Sequence, residues 1–253
     1  MRYEIVYNIF WADVTRSRAA DGDRRRRLSG SVAQETDEIR AQMTIHDKLS
    51  QVPSHARDLG LDLRCEAHRF RWFLASVFFT GGVSTEIAKK TYKEFEREEM
   101  LTPERIIEAG WDRLVEVLDA GGYVVYDFAT ASKVLEIATK LKERYGSLEN
   151  LYERAKNNKD LEKKLQEFKG VGPTTVGTFL RELKGVWEKA QPSLSPVAKE
   201  VASRLALDEG ALGRPATELA LIRIGLDFCK GNQCSVCPVR ADCSNPNDQP
   251  LRT

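Results

Sequence analysis

Four kinds of feature are scarce in this chain. No apolar run is long: the longest, near Trp72–Phe79, falls far short of the ~18 residues that cross a bilayer, so no membrane partner is expected. Net charge is nearly absent, with 39 Lys+Arg against 38 Asp+Glu. Without a global basic field, any contact with nucleic acid must come from local groups. Histidine is rare, and His46, His55 and His68 neither cluster nor pair at helical spacing, which argues against a histidine-built site. Period-2 alternation of useful length is missing after residue 65, which speaks against β-structure there; there is no internal repeat. Met1-Arg2-Tyr3-Glu4 brings charge and an aromatic where a signal peptide has its apolar core, so the expected location is intracellular, in the cytoplasm or nucleoid if the source is prokaryotic.

What is present describes a globular chain. Its 253 residues are 42% hydrophobic and 30% charged, enough for one large domain or two small ones with a core that needs no disulfide. Phe70, Phe73, Leu74, Val77 and Phe78 recur at three- and four-residue steps, the mark of an apolar helix face. Thr80-Gly81-Gly82 interrupts it, and Ser84 or Thr85 caps a second helix to Phe95. Thr102-Pro103-Glu104 starts a third and Gly121-Gly122 breaks the pattern. Further helices are expected over Thr130–Tyr145, Ser147–Ala155, Leu161–Phe168, Val176–Trp187, Pro196–Leu207 and Thr217–Phe228. Tyr3–Phe10 reads as strand or helix. The fold class is all-α. Phe70, Trp72, Phe73, Phe78 and Phe79 read as core, Tyr123 and Tyr126 as packing residues with some claim to a pocket, and Cys65 as a small buried residue. Trp187 faces core or cleft. Arg24–Arg27 reads as a solvated arm, with phosphate contact the sharper alternative.

Two segments carry chemistry. In Phe168-Lys169-Gly170-Val171-Gly172-Pro173-Thr174-Thr175 two glycines permit a tight turn, and the second opens a helix whose first N–H groups lack partners. Such donors at the positive end of a helix make an anion site suited to a DNA phosphate. Gly170, Val171 and Gly172 would bind through the backbone, helped by Lys169 and Thr175. The second segment is Cys229-x4-Cys234-x2-Cys237-x5-Cys243. Four thiolates this close suit tetrahedral zinc or an iron–sulfur cube, with Lys230 and Arg240 in its loops able to offset charge or reach a phosphate.

Together, hairpin and cysteines resemble the endonuclease III and adenine-glycosylase branch of the helix–hairpin–helix DNA glycosylases, which pairs a Leu-Pro-Gly-Val-Gly-type hairpin with four downstream cysteines. Gly122-Tyr123 followed by Ala131-Ser132-Lys133 is similar to the family's Gly-x-Tyr…Lys-Ala segment, and the resemblance covers roughly residues 68–245. It implies two helical lobes, a [4Fe–4S] cluster on Cys229, Cys234, Cys237 and Cys243 in preference to zinc, double-stranded DNA as partner, and base extrusion before glycosidic cleavage. Lys230 would contact DNA. The implied organisation is an irregular basic arm (1–45), a two-lobed domain (46–228) with its hairpin at 168–176, a cysteine loop (229–243) and a tail (244–253), acting as a monomer.

Three positions depart from the family. Thr174 stands where bifunctional members carry a lysine nucleophile, and a hydroxyl forms no Schiff base. Ser195 stands at the family's aspartate, Glu188 and Glu200 reading as surface carboxylates, and the family's gap-filling glutamine maps near Gly81. The first cysteine loop is also two residues short. The implied function is a monofunctional glycosylase with an unusual active site, Thr174 and Ser195 marking the catalytic positions. The alternative is an inactive DNA damage or structure sensor, and a zinc-bound structural module is third.

Overall fold

The computed structural model describes residues 43–244, and these contain helices and no strand. The Arg24–Arg27 arm and Tyr3–Phe10 lie outside the described residues. In chain order the helices are α1 (Ile45–Gln51), α2 (His55–Asp58), α3 (Glu66–Phe79), α4 (Thr85–Arg97), α5 (Pro103–Gly121) and α6 (Asp127–Arg144). There follow α7 (Leu148–Arg154), α8 (Asn158–Leu165), α9 (Pro173–Glu182), α10 (Pro196–Arg204), α11 (Glu209–Leu212) and α12 (Pro215–Ile224). None of the described helices is long and apolar enough to cross a membrane.

Hydroxyl caps set many of the starts. Ser84 Oγ accepts from Ile87 N–H at 3.3 Å, Thr102 Oγ1 from Arg105 N–H at 3.3 Å and Ser147 Oγ from Asn150 N–H at 3.1 Å, each contributing about 1 kcal/mol by satisfying a donor the helix cannot. Differences from the expected pattern have local causes. Pro173 in the first turn starts α9 ahead of Val176, and the helix ends at Glu182, before Gly185, whose φ is +83°. α5 is kinked at Gly110 (φ 72°, ψ 177°). α1 and α2 are additions to the sequence reading. α1 is fixed by a reciprocal cap in which Thr44 accepts from Asp47 N–H and Asp47 from Thr44 N–H.

The chain divides into two compact units, Ser54–Ser195 and a discontinuous one, whose described part is 43–53 with 196–244. In the Ser54–Ser195 unit, α6 lies along α5 and α3 is central. Trp72, Phe73 and Phe78 are fully buried, Trp72 Nε1–H donates to Phe179 O at 3.2 Å, and the Phe73 ring meets Phe179 and Phe168 at 5.0 and 5.9 Å. Phe168, at the start of the glycine turn, and Phe179, on the helix that follows it, are thus anchored on one core helix. In the discontinuous unit α12 packs against α1 and α10. Arg223 is fully buried, in an ion pair with Asp227 and donating to Pro53 O at 3.3 Å. Lys48 Nζ meets Asp242 Oδ2 at 2.8 Å, which ties α1 to the end of the cysteine loop.

Candidate phosphate hairpin and thiol cavity

The turn from Phe168 to Gly172 belongs to the Ser54–Ser195 unit. Gly170 has φ +74°, in the left-handed region that a side chain makes costly. A Cβ there would also come within 2.4 Å of Lys133 Cε, because Lys133 reaches from α6 across the glycine. This lysine is half-buried, and burial holds its ammonium below the ordinary value. Gly172 is the N-cap of α9 with extended backbone and no side-chain cap. Pro173 has no N–H, and Val176 N–H bonds back to Gly172 O at 3.0 Å. The N–H groups of Gly170, Gly172, Thr174 and Thr175 have no hydrogen-bond partner among the described residues. Donors grouped at the positive end of a ten-residue helix favour an anion.

Two assignments change. Val171 N–H donates to Phe168 O at 3.1 Å and its side chain is buried, so Val171 closes the turn and offers no donor. The Thr175 side chain is buried, with Oγ1 2.8 Å from Thr80 Oγ1; it links α9 to the end of α3 and leaves only its N–H. Lys169 is exposed, 3.7 Å from Glu136 Oε2, a carboxylate held below its usual range first by Lys140 and also by Lys169.

Exchange of Gly170 for Ala should lower unfolding stability by at least about 1–2 kcal/mol, the cost of a left-handed side chain, with displacement of Lys133 added. Gly172→Ala meets nothing within 4 Å and should fold normally. Urea denaturation of both checks this, and equal midpoints would remove the steric account of the turn.

The positions expected for catalysis differ in access. Thr174 is exposed on the first turn of α9, whereas Ser195 is buried. Arg181 on α9 donates to Gly177 O and Ser193 O, both at 2.9 Å, which holds the segment before Ser195 to the hairpin helix. Glu182, the acid of α9, accepts Ala56 N–H at 3.1 Å through Oε1 and so caps α2. Glu188 is exposed. At Gly81 a Cβ would come within 1.6 Å of the Tyr123 hydroxyl, which donates to Phe78 O at 3.2 Å. Tyr123 therefore fills the space beside Gly81 as core. Tyr126 is exposed and Trp187 buried. Cys65, expected inside, is exposed because it precedes the first turn of α3.

The four clustered cysteines belong to the discontinuous unit. α12 continues as a π-turn, Gly225–Cys229, closed by Lys230 N–H on Gly225 O at 2.9 Å. Cys234 opens one 3₁₀ turn, which ends at Cys237, and Cys243 ends a second. Cys229, Cys234, Cys237 and Cys243 all line one cavity, with Val201, Leu205, Ile224 and Val239 as apolar wall and Arg204 and Arg240 as cations. No group of three or more His, Cys, Asp or Glu among the described residues is arranged as a ready-made metal site. Burial pushes the Cys237 thiol up to about 12, and the other three thiols add to it. Cys229 is raised by burial, with Arg204 acting against the rise. Four thiolates gather there only with a cation between them. Lys230 is exposed beside the cavity.

Arg204 is the residue the sequence reading did not single out. It reaches the cavity from α10, and only the helical register of Val201, Arg204 and Leu205 (steps of three and four) marks it as facing the same way as those apolar neighbours. No protein-family model matches this chain, and no curated protein is similar to it.

Proposed function

We propose that the chain is an iron–sulfur protein of the base-excision-repair type that holds double-stranded DNA through a helix–hairpin–helix, on the two-lobed plan of the DNA glycosylases. The observation that carries this reading is the set of unpartnered N–H groups on Gly170, Gly172, Thr174 and Thr175 around an uncapped helix start. They would take one backbone phosphate, with Lys169 adding charge. Such contacts position a protein on a duplex without reading its sequence.

The donor set fits a [4Fe–4S] cluster. Four thiols line one cavity, with two arginines among its other walls. Each corner iron of a cube takes one thiolate; tetrahedral zinc would take the same four, and the resemblance of the cysteine loop to the glycosylases favours the cube. Cys229, Cys234, Cys237 and Cys243 would hold the cluster, and when bound it would cross-link the two 3₁₀ turns to the end of α12.

Binding without base cutting is favoured over glycosylase chemistry by what stands at the two expected catalytic positions and by the engagement of two carboxylates, Glu188 being exposed on the surface. Glu182 is engaged as a cap and Glu200 pairs with Arg204 at 2.8 Å, Thr174 has no amine, and Ser195 is buried. A neutral hydroxyl gives no anionic stabilisation to a cationic sugar. A monofunctional glycosylase is the second reading, supported by the Arg181–Ser193 bond that keeps the Ser195 segment beside the hairpin helix.

Incubation with duplexes carrying uracil, mismatched thymine, oxidised or alkylated bases separates the two. The first reading predicts retention of the duplex and no base release, with or without alkali. Strand cutting after alkali establishes the glycosylase, and cutting without alkali contradicts the role given to Thr174.

A further inference from the structure

We infer that Arg204 is the counter-charge of the four-thiolate centre, a positioning residue that sets how readily the cluster assembles and accepts an electron. The inference rests on the iron–sulfur reading above. Three observations support it. Arg204 lines the same cavity as all four cysteines although it lies on α10, outside the cysteine loop. Its side chain is only 16% exposed, so its field is screened less than that of a surface cation. It is also held at both ends: the guanidinium by Glu200 Oε1 at 2.8 Å, and the carbonyl by Ser244, whose N–H and Oγ–H both donate to it at 2.8 Å. The residue after the last cysteine is thereby fastened to the arginine that faces the thiols.

The physical consequence follows from charge. A cube held by four thiolates is negative and becomes more so when it takes an electron. A guanidinium beside it stabilises the reduced form more than the oxidised, and nearby charge is among the factors that set the potential of such clusters. Arg240 also lines the cavity, but from within the loop, so it moves with the ligands. Glu200 tempers the arginine's field, which gives a second substitution with the opposite sign.

The test uses the full chain, reconstituted anaerobically with iron and sulfide, as parent, Arg204→Gln, Arg204→Lys and Glu200→Gln. Iron and sulfide content is measured first, then the midpoint potential of the loaded protein. Arg204→Gln should shift the reduction equilibrium about tenfold toward the oxidised form, about 59 mV for one electron. Arg204→Lys should stay near the parent, and Glu200→Gln should shift the other way. Failure of Gln to load while Lys loads also supports the inference. A loaded Arg204→Gln with the parent's potential overturns it, as does failure of both arginine variants, which would mark a packing role. A parent that takes up no iron and sulfide, or holds only zinc, overturns the iron–sulfur reading itself and the inference with it.

Discussion

Replacement of Gly172 by Asp should leave the protein slightly more stable and unable to hold duplex DNA. The two effects have opposite signs and one cause. Gly172 is an N-cap with extended backbone (φ −91°, ψ −179°), the geometry in which an Asp carboxylate accepts from the second or third N–H of the helix. A Cβ at this position meets nothing within 4 Å, so the substitution costs no packing. Capping together with the favourable dipole contact contributes about 0.5–1 kcal/mol. The same carboxylate would occupy the donors of Thr174 and Thr175 and place a negative charge where the phosphate should sit. Duplex affinity should fall by about two orders of magnitude, from a lost charge-assisted contact and a new repulsion. Thermal melting and a fluorescence-anisotropy titration read the two effects separately. Unchanged affinity in a well-folded Gly172→Asp protein would remove the hairpin from the interface.

Cys229→Ala should produce the largest loss of structure, confined to one unit. Between Cys229 and Ser244 the chain has only two 3₁₀ turns of three residues each, and Val239 is its deeply buried apolar side chain after Cys229. That is little apolar surface for a folded loop, and on the iron–sulfur reading proposed above the metal would supply the difference; structural metal sites contribute on the order of 10 kcal/mol. Loss of one ligand, or removal of the metal by a chelator, should open 230–244 to proteolysis and abolish the visible absorbance of the cluster. The Ser54–Ser195 unit has its own apolar core and should survive. Cys65→Ala is the control, since Cys65 is exposed and lies outside the cavity. Equal protease resistance of 230–244 in Cys229→Ala and the parent would show that the loop folds without its centre.

Much of this architecture is legible in the residues because it is local. Ser84, Thr102 and Ser147 announce helix starts through hydroxyls that reach their own third N–H, and the Phe70–Phe78 stripe announces the core helix. α1 and α2 escaped because they are seven and four residues long, too short to show periodicity, although Thr44-x-x-Asp47 spells a capping box. The hairpin is visible as two glycines around one residue. That Val171 spends its N–H on Phe168, and that Lys133 lies over Gly170, depends on the closed turn and on a partner from α6. Arg204 is hidden for a similar reason. It joins the cysteines only when α10 packs beside the end of α12, and no spacing within Cys229–Cys243 refers to it.

The most direct test of the central claim is the affinity of the anaerobically prepared full chain for two duplexes of unrelated sequence, measured across salt concentrations. With the hairpin and Lys169 together taking one phosphate, the logarithm of the association constant should fall linearly with the logarithm of salt, with a slope of about −1. The two duplexes should bind alike, because backbone contacts carry no sequence information. Absence of binding at low salt, or an affinity that depends on sequence and ignores salt, would contradict the account.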